Sequence, residues 1–450
     1  MHPCIILVHW YMTSFAAFRS LRGFNFRTWA LGAIVSNVGT WMQRTAQDWL
    51  VLTQLTHHNA TAVGVVMGLQ FGPQALLLPI TGYAADHLDR RKLLFATQAA
   101  MGALALGLGA LTVCGVVQLW HVYVFAFLLG CVAAFDAPAR QTFVSDLVAE
   151  KDLSNAVALN STSFNAARLV GPAVAGVLIG SVGTGWVFLI NAASFVAVLC
   201  SLSLLRVAEL RVAPRAVPRR GSLVEGFRYV WSRPDLRAIL TMLLLVGTFG
   251  LNFPIFIATM SVRVFHAGAG QYGLLTSIMA IGSVVGALLS AARPAPRIAV
   301  LLVGATVFGV GLGFAALMPN YALFGCTLVL IGVAAQTFTT TVNGAVQLST
   351  APAMRGRVVA ILLAIALGGT PIGAPIVGWV ADVYGPRWAL AVGAASGFAA
   401  ALVGLHHLAK HRRLRLLRDG LRWPRLSFDE GFATAPSADP SVAIPAQKGT

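Results

Sequence analysis

The chain has 450 residues, of which 57% are hydrophobic and only 10% charged, with a formal net charge of +17 and a mean hydropathy of +0.76. A soluble chain of this length would be about a quarter charged, so this one must present much of its surface to lipid. The five cysteines have neither disulfide-framework nor metal-ligand spacing, and the positive charge follows loops, which excludes a disulfide scaffold and a nucleic-acid footprint.

The first stretch, Cys4–Phe18, is apolar but too short to span and has no positive n-region or cleavage site; Met12 offers an alternative start. Apolar segments of spanning length then follow at Trp29–Leu52, Ala62–Ala85, Leu93–Val117, Trp120–Ala139, Ala156–Gly180 and Trp186–Leu205. After an arginine-rich linker come Ala238–Val262, Tyr272–Ala292, Ile298–Met318, Tyr321–Val342, Val358–Ala381 and Trp388–His407. Each approaches the ~20 residues that cross the hydrocarbon core as a helix. None alternates as a barrel strand would, so the predicted fold is an all-α membrane protein of twelve transmembrane helices. Lys410–Arg425 is predicted to lie as a basic, Leu-rich surface helix, and the polar remainder to be disordered.

Lys and Arg are distributed unevenly between alternate loops. With the N-terminus inside, the segments on that side hold 26 of the 32, and the opposite loops hold only Arg263 and Arg387. This asymmetry predicts both termini in the cytoplasm and attraction of the basic loops to anionic lipid at that face. Arg outnumbers Lys 28 to 4, which points to a bacterium with a GC-rich genome and so to its cell membrane.

The chain also repeats itself. Gly171, Gly176, Gly183, Trp186, Ala192, Ala193 and Ser194 recur 202 positions later as Gly373, Gly378, Gly385, Trp388, Ala394, Ala395 and Ser396. The organisation read from this is a cytoplasmic segment (1–28), a six-helix half (29–205), a basic cytoplasmic linker (206–237), a second six-helix half (238–407) and a cytoplasmic tail (408–450). Two pseudo-symmetric halves in parallel repeat suit alternating access around a site between them.

Specific motifs sharpen the reading. Gly82-Tyr-Ala-Ala-Asp86-His-Leu-Asp-Arg90 resembles the G-x-x-x-D-x-x-x-R loop signature of the major facilitator superfamily. Arg168-Leu-Val-Gly171-Pro172-Ala-Val-Ala-Gly176 is similar to the Gly-Pro motif of its drug:proton antiporters, without the full paired glycine. Ser36–Leu52, Phe135–Phe143 and Arg355–Val358 resemble the branch holding siderophore and multidrug exporters. The resemblance implies that Asp86 meets the start of the eleventh helix, with Arg355 and Arg357 beside it, when the cytoplasmic side is closed. It further implies that the bend at Gly171, Pro172 and Gly176 suits antiport. The equivalent second-half loop, Ala291–Ile298, lacks the acid; Gly378–Arg387 mimics the pattern, but on the outer side, and is set aside. Spacing alone puts Gly82, Asp86 and Arg90 on one helical face, which also fits an ordinary interfacial pair.

Charge inside the membrane is expensive, at least ~2.5–3.5 kcal/mol for a lone group at mid-bilayer. Of the fifteen acids only Asp48 and Asp136 fall within spans, each four residues from an arginine, Arg44 and Arg140 respectively; Arg168 is the remaining buried cation. These five are candidates for proton coupling or substrate binding, and the i,i+4 spacing equally allows structural ion pairs. The uncharged candidates are Gln43, Gln47, Gln70, Gln74, Asn252, Gln336 and Asn343, for which interhelical hydrogen bonding is the alternative. No Walker-type cradle, metal cluster or nucleophile–base constellation is present, so no ATP, cofactor, metal or enzymatic activity is expected. The predicted function is a proton-coupled exporter of amphipathic small molecules such as drugs or siderophores. The alternatives are a proton-coupled importer of a small nutrient and a non-transporting sensor on the same fold.

Overall fold

The computed structural model describes residues 18–211, 223–293, 296–411, 415–417 and 425–427. Residues 4–17 of the apolar first stretch and the tail beyond Ser427 lie outside these. Every predicted span is met by a helix. They are α1 (Phe24–Trp49), α2 in two parts (Ala60–Leu76 and Leu78–His87), α3 (Arg90–Val113), α4 (Leu119–Leu147), α5 (Glu150–Val182) and α6 (Thr184–Ser203). The second set is α7 (Pro234–Val264), α8 (Ala269–Ala291), α9 (Ile298–Leu317), α10 (Tyr321–Ser349), α11 (Arg355–Val383) and α12 (Pro386–His411).

Ten of these, among the described residues, are long and apolar enough to cross a membrane. The other two have local reasons for falling short. α1 carries Asn25, Arg27, Asn37, Gln43, Arg44, Gln47 and Asp48, most of them turned inward. α2 is interrupted at Leu77, just after Pro73, which has no N–H to give the Leu69 carbonyl. Gly130 of α4 lies against that carbonyl, a Cβ there falling 2.8 Å from Leu69 O.

Within each set the packing is local: α1 lies on α5 and α6, α3 on α4 and α6, and, in the second set, α9 on α10 and α12, and α8 on α10. The main seams between sets are α2 with α11 and α5 with α8. These two seams interconvert when the sets are exchanged, as the repeat requires. The repeated residues now have physical explanations. Gly183 and Gly385 both take positive φ, at +89° and +101°, in the tight turns before α6 and α12. Ser194 sits over Gly39 of α1, and Ser396 over Gly250 of α7. Trp186 and Trp388 are both exposed at the helix ends, where an indole suits the interface.

The linker holds a helix, Leu223–Ser232, that lies on α11 with Gly226 against Arg357. The predicted surface helix over Lys410–Arg425 needs correction. α12 ends at His411, and β1 (Arg415–Leu417) pairs antiparallel with β2 (Arg425–Ser427). Asp419-Gly420 and Pro424 in the intervening sequence disfavour a continuous helix.

Candidate transport site

The two seams close at one end of the bundle. We call this the far end, opposite the basic end where α1 begins and α12 finishes. On α2/α11, a Cβ at Gly378 would fall 2.5 Å from Ala60 O, and Gly64 lies against the Ala374–Pro375 backbone. On α5/α8, a Cβ at Gly176 would fall 2.7 Å from Ala269 O, Gly273 lies against Pro172 O, and Ser277 Oγ donates to Leu169 O at 2.6 Å. Toward the basic end the α2/α11 seam parts. Cβ positions at Gly72 and Gly368 are 3.9 Å and 3.8 Å from their nearest partners, and Gly82 and Gly356 meet nothing within 4 Å among the described residues.

A cavity of about 240 Å³ lies between the sets. From the first set come Trp41, Arg44, Thr45, Asp48, Met67, Gln70, Phe71 and Arg168; from the second, Leu251, Phe253, Pro254, Ile257, Tyr272, Thr276, Met279, Ala280 and Thr370. Its charged centre is built by α1, where Trp41, Arg44, Thr45 and Asp48 recur at helical spacing on one face. Gly171 of α5 leaves room for Trp41, a Cβ there falling 2.6 Å from Trp41 Cβ. The Trp41 ring thereby meets two guanidiniums, Arg44 at 5.0 Å and Arg168 at 5.6 Å; Arg44 is also 5.8 Å from the Phe71 ring. These are cation–π distances. Among the described residues neither arginine has a carboxylate within 4 Å. Asp48 is 9% exposed and accepts from the Tyr272 hydroxyl of α8 at 3.3 Å, so the carboxylate bonds across the seam. Tyr272 stacks on Trp49 at 5.8 Å, which walls the cavity toward the far end.

The structure thus brings Arg44, Asp48, Gln70 and Arg168 together and separates the other candidates from them. Asp136 belongs to a network inside the first set: it accepts from Thr97 Oγ1 at 2.8 Å, Gln98 Nε2 at 2.6 Å and Arg140 at 3.0 Å. Arg140 donates onward to Asn37 at 2.9 Å. Gln43 accepts from Asn191 of α6 at 2.5 Å, binding helices of one set together. Gln47 is 1% exposed, and its Nε2 has no partner among the described residues. Gln74 donates to Gln70 O at 2.8 Å. Asn252 is fully buried at the break in α7, donating to Thr248 O at 2.7 Å while its Oδ1 has no partner among the described residues, and is followed by the wall residues Phe253 and Pro254. Gln336 and Asn343 bond within α10, to Thr340 and to Thr339 O.

Of the helix-bend motif, Gly176 packs on α8 and Gly171 on α1 of its own set; α5 runs unbroken through Pro172. At the basic end, Arg90 pairs with Asp146 of α4 at 2.8 Å and Arg357 with Glu225 of the linker helix at 2.6 Å. Arg355 opens α11 and is exposed; the Asp86 side chain lies outside the described ones. Sequence reasoning missed the aromatic wall of Trp41, Phe71, Phe253 and Tyr272. A signal existed for Trp41, three residues before Arg44, and for Phe253, between Asn252 and Pro254 where a bend opens a pocket. Asp382, set aside above with Gly378–Arg387, stands four residues after Gly378 as Asp86 does after Gly82 and bonds to the start of α2.

Comparison with known proteins agrees with this architecture. The chain is 26% identical over 353 residues to the staphyloferrin A transporter of Staphylococcus aureus, covering 77% of this chain and 87% of that protein. It is 28% identical over 370 residues to the multidrug efflux pump Tap of Mycolicibacterium fortuitum, covering 78% and 88% respectively. Its fold is similar to that of an inward-facing, occupied bacterial homologue of the human lysosomal transporter Spinster. The TM-score is 0.63 at 16% identity, over 85% of this chain and 94% of that one. Residues 13–430 match the family described as transmembrane secretion effector, and the chain belongs to that family within the major facilitator superfamily.

Proposed function

We propose that this chain exports amphipathic small molecules by alternating access, driven by proton influx through Asp48. The observation that carries the reading is the cavity: it lies between the two sets, is sealed at the far end and contains a membrane-buried carboxylate beside two arginines. Its aromatic walls suit the apolar body of a substrate, and Arg44 and Arg168 supply donors for carbonyl, hydroxyl or carboxylate oxygens. The names of the two relatives, a siderophore transporter and a multidrug pump, support export of such compounds. The basic end is assigned to the cytoplasm and its anionic lipid, with both termini there, in the cell membrane of a bacterium. On that assignment the described conformation is inward-open.

Asp48 is the coupling group because a carboxylate at this depth exchanges a proton readily only where a cavity gives it access. Its bond to Tyr272 ties protonation to the seam that must open outward. Transport into everted vesicles of dyes, drugs and siderophore-like compounds, with and without a pH gradient, tests the reading. Gradient-stimulated uptake supports export; accumulation only in right-side-out vesicles would make the protein an importer. Binding without net movement in either would make it a sensor.

A further inference from the structure

We infer that Asp382 is an outer latch between α2 and α11, the counterpart of the inner one that the sequence resemblance gives to Asp86. This rests on the alternating-access reading above. The Asp382 carboxylate accepts from the backbone N–H of Ala60 at 2.8 Å, from that of Thr61 at 2.8 Å and from the Thr61 hydroxyl at 2.6 Å. All three donors open α2, across the seam. Asn59 takes the next free N–H, that of Ala62, at 2.9 Å. The first turn of α2 therefore depends on the other half for two of its unpaired donors, and its positive dipole end faces a carboxylate. Arg263 of α7 donates to Asp382 at 3.2 Å and to Ala381 O at 2.8 Å, which fixes the carboxylate on its own half. Gly378, one turn before, allows the close approach of Ala60.

The sequence of α2 holds the mirror arrangement. α2 and α11 run antiparallel, and each ends in Gly-x-x-x-Asp: Gly82 and Asp86 on α2, Gly378 and Asp382 on α11. Each motif thereby falls at the end of the seam where the partner helix begins. Rocking of two rigid halves closes one end by opening the other, so the two contacts exclude each other. The alternation between them is a two-state element, and each aspartate biases it in the opposite direction.

The test is labelling of Thr370→Cys, a cavity position, with a membrane-impermeant maleimide from each side, in a chain without its native cysteines. Asp382→Asn removes an acceptor and the pair with Arg263. It should raise labelling from outside relative to inside about tenfold, the ratio expected from a lost helix cap. Asp86→Asn should shift the ratio the opposite way, and the double variant should return it toward the parent. If Asp382→Asn folds poorly, Thr61→Val and Arg263→Gln read the same shift at smaller size. A parent ratio that responds to substrate or pH gradient, with Asp382→Asn, Thr61→Val and Arg263→Gln all unchanged, overturns the outer latch alone. A parent ratio that never responds overturns alternating access, and the latch with it.

Discussion

Gly273→Ala should convert the described conformation into its opposite. A methyl at Gly273 of α8 would overlap Pro172 O and stand 3.1 Å from Gly176 Cα, both backbone groups of α5 that no rotamer change can move. The helices must part at the far end, and the Ser277–Leu169 hydrogen bond of 2.6 Å goes with them. Overpacking of this kind costs about 1–3 kcal/mol and a lost hydrogen bond about 0.5–1.5 kcal/mol, together about 1.5–4.5 kcal/mol. The cost falls only on the state in which this seam is closed. The ratio of outward- to inward-open protein should therefore rise by about 10-fold or more, and turnover should fall because loading from the cytoplasm is starved. Pulsed EPR distances between spin labels on the far ends of α5 and α8 read the shift directly. Gly180→Ala, on α5 across the same seam with nothing within 4 Å, is the silent control. An unchanged distance distribution with unchanged transport in Gly273→Ala would refute the reasoning.

Two further outcomes separate the cavity from its surroundings. Arg168→Gln removes a cavity donor without breaking an ion pair, so substrate affinity should fall by about 10-fold or more, with little change in the thermal stability of the purified protein. Asp136→Asn should behave in the reverse manner: it breaks a buried pair that three partners satisfy, costing about 3–5 kcal/mol and lowering the unfolding temperature, while leaving gradient stimulation of transport in place.

The spans were legible because lipid demands an unbroken apolar length, and the repeat was legible because glycines at helix crossings and tight turns tolerate no substitute. The spacing of Arg44 and Asp48 also showed that they share a face. What it could not show was which face looks into the cavity. Gln43 and Gln47 are equally polar and lie about 100° around the same helix from that face, and Gln43 is claimed by Asn191, a residue 148 positions away. Asp136 and Arg140 look like Asp48 and Arg44 in sequence, yet Thr97 and Gln98 of α3 satisfy Asp136, while among the described residues no such hydrogen-bonding partner reaches Arg44. Asp382 lies at the opposite end from the latch that the resemblance implies. The pattern was visible, but its partner, the start of α2, becomes apparent only once α2 and α11 are seen side by side.

The central claim is that protons move through the inter-half cavity by way of Asp48. Its most direct test is substrate uptake into proteoliposomes under an imposed pH gradient, compared between the parent and Asp48→Asn, with equilibrium substrate binding measured on the same preparations. The expected result is loss of the gradient-dependent component in Asp48→Asn, with binding at least partly retained and Asp136→Asn still gradient-driven. Full gradient-driven uptake in the Asp48→Asn/Asp136→Asn double variant would contradict the account, because the chain has no other carboxylate within a predicted span to carry the proton.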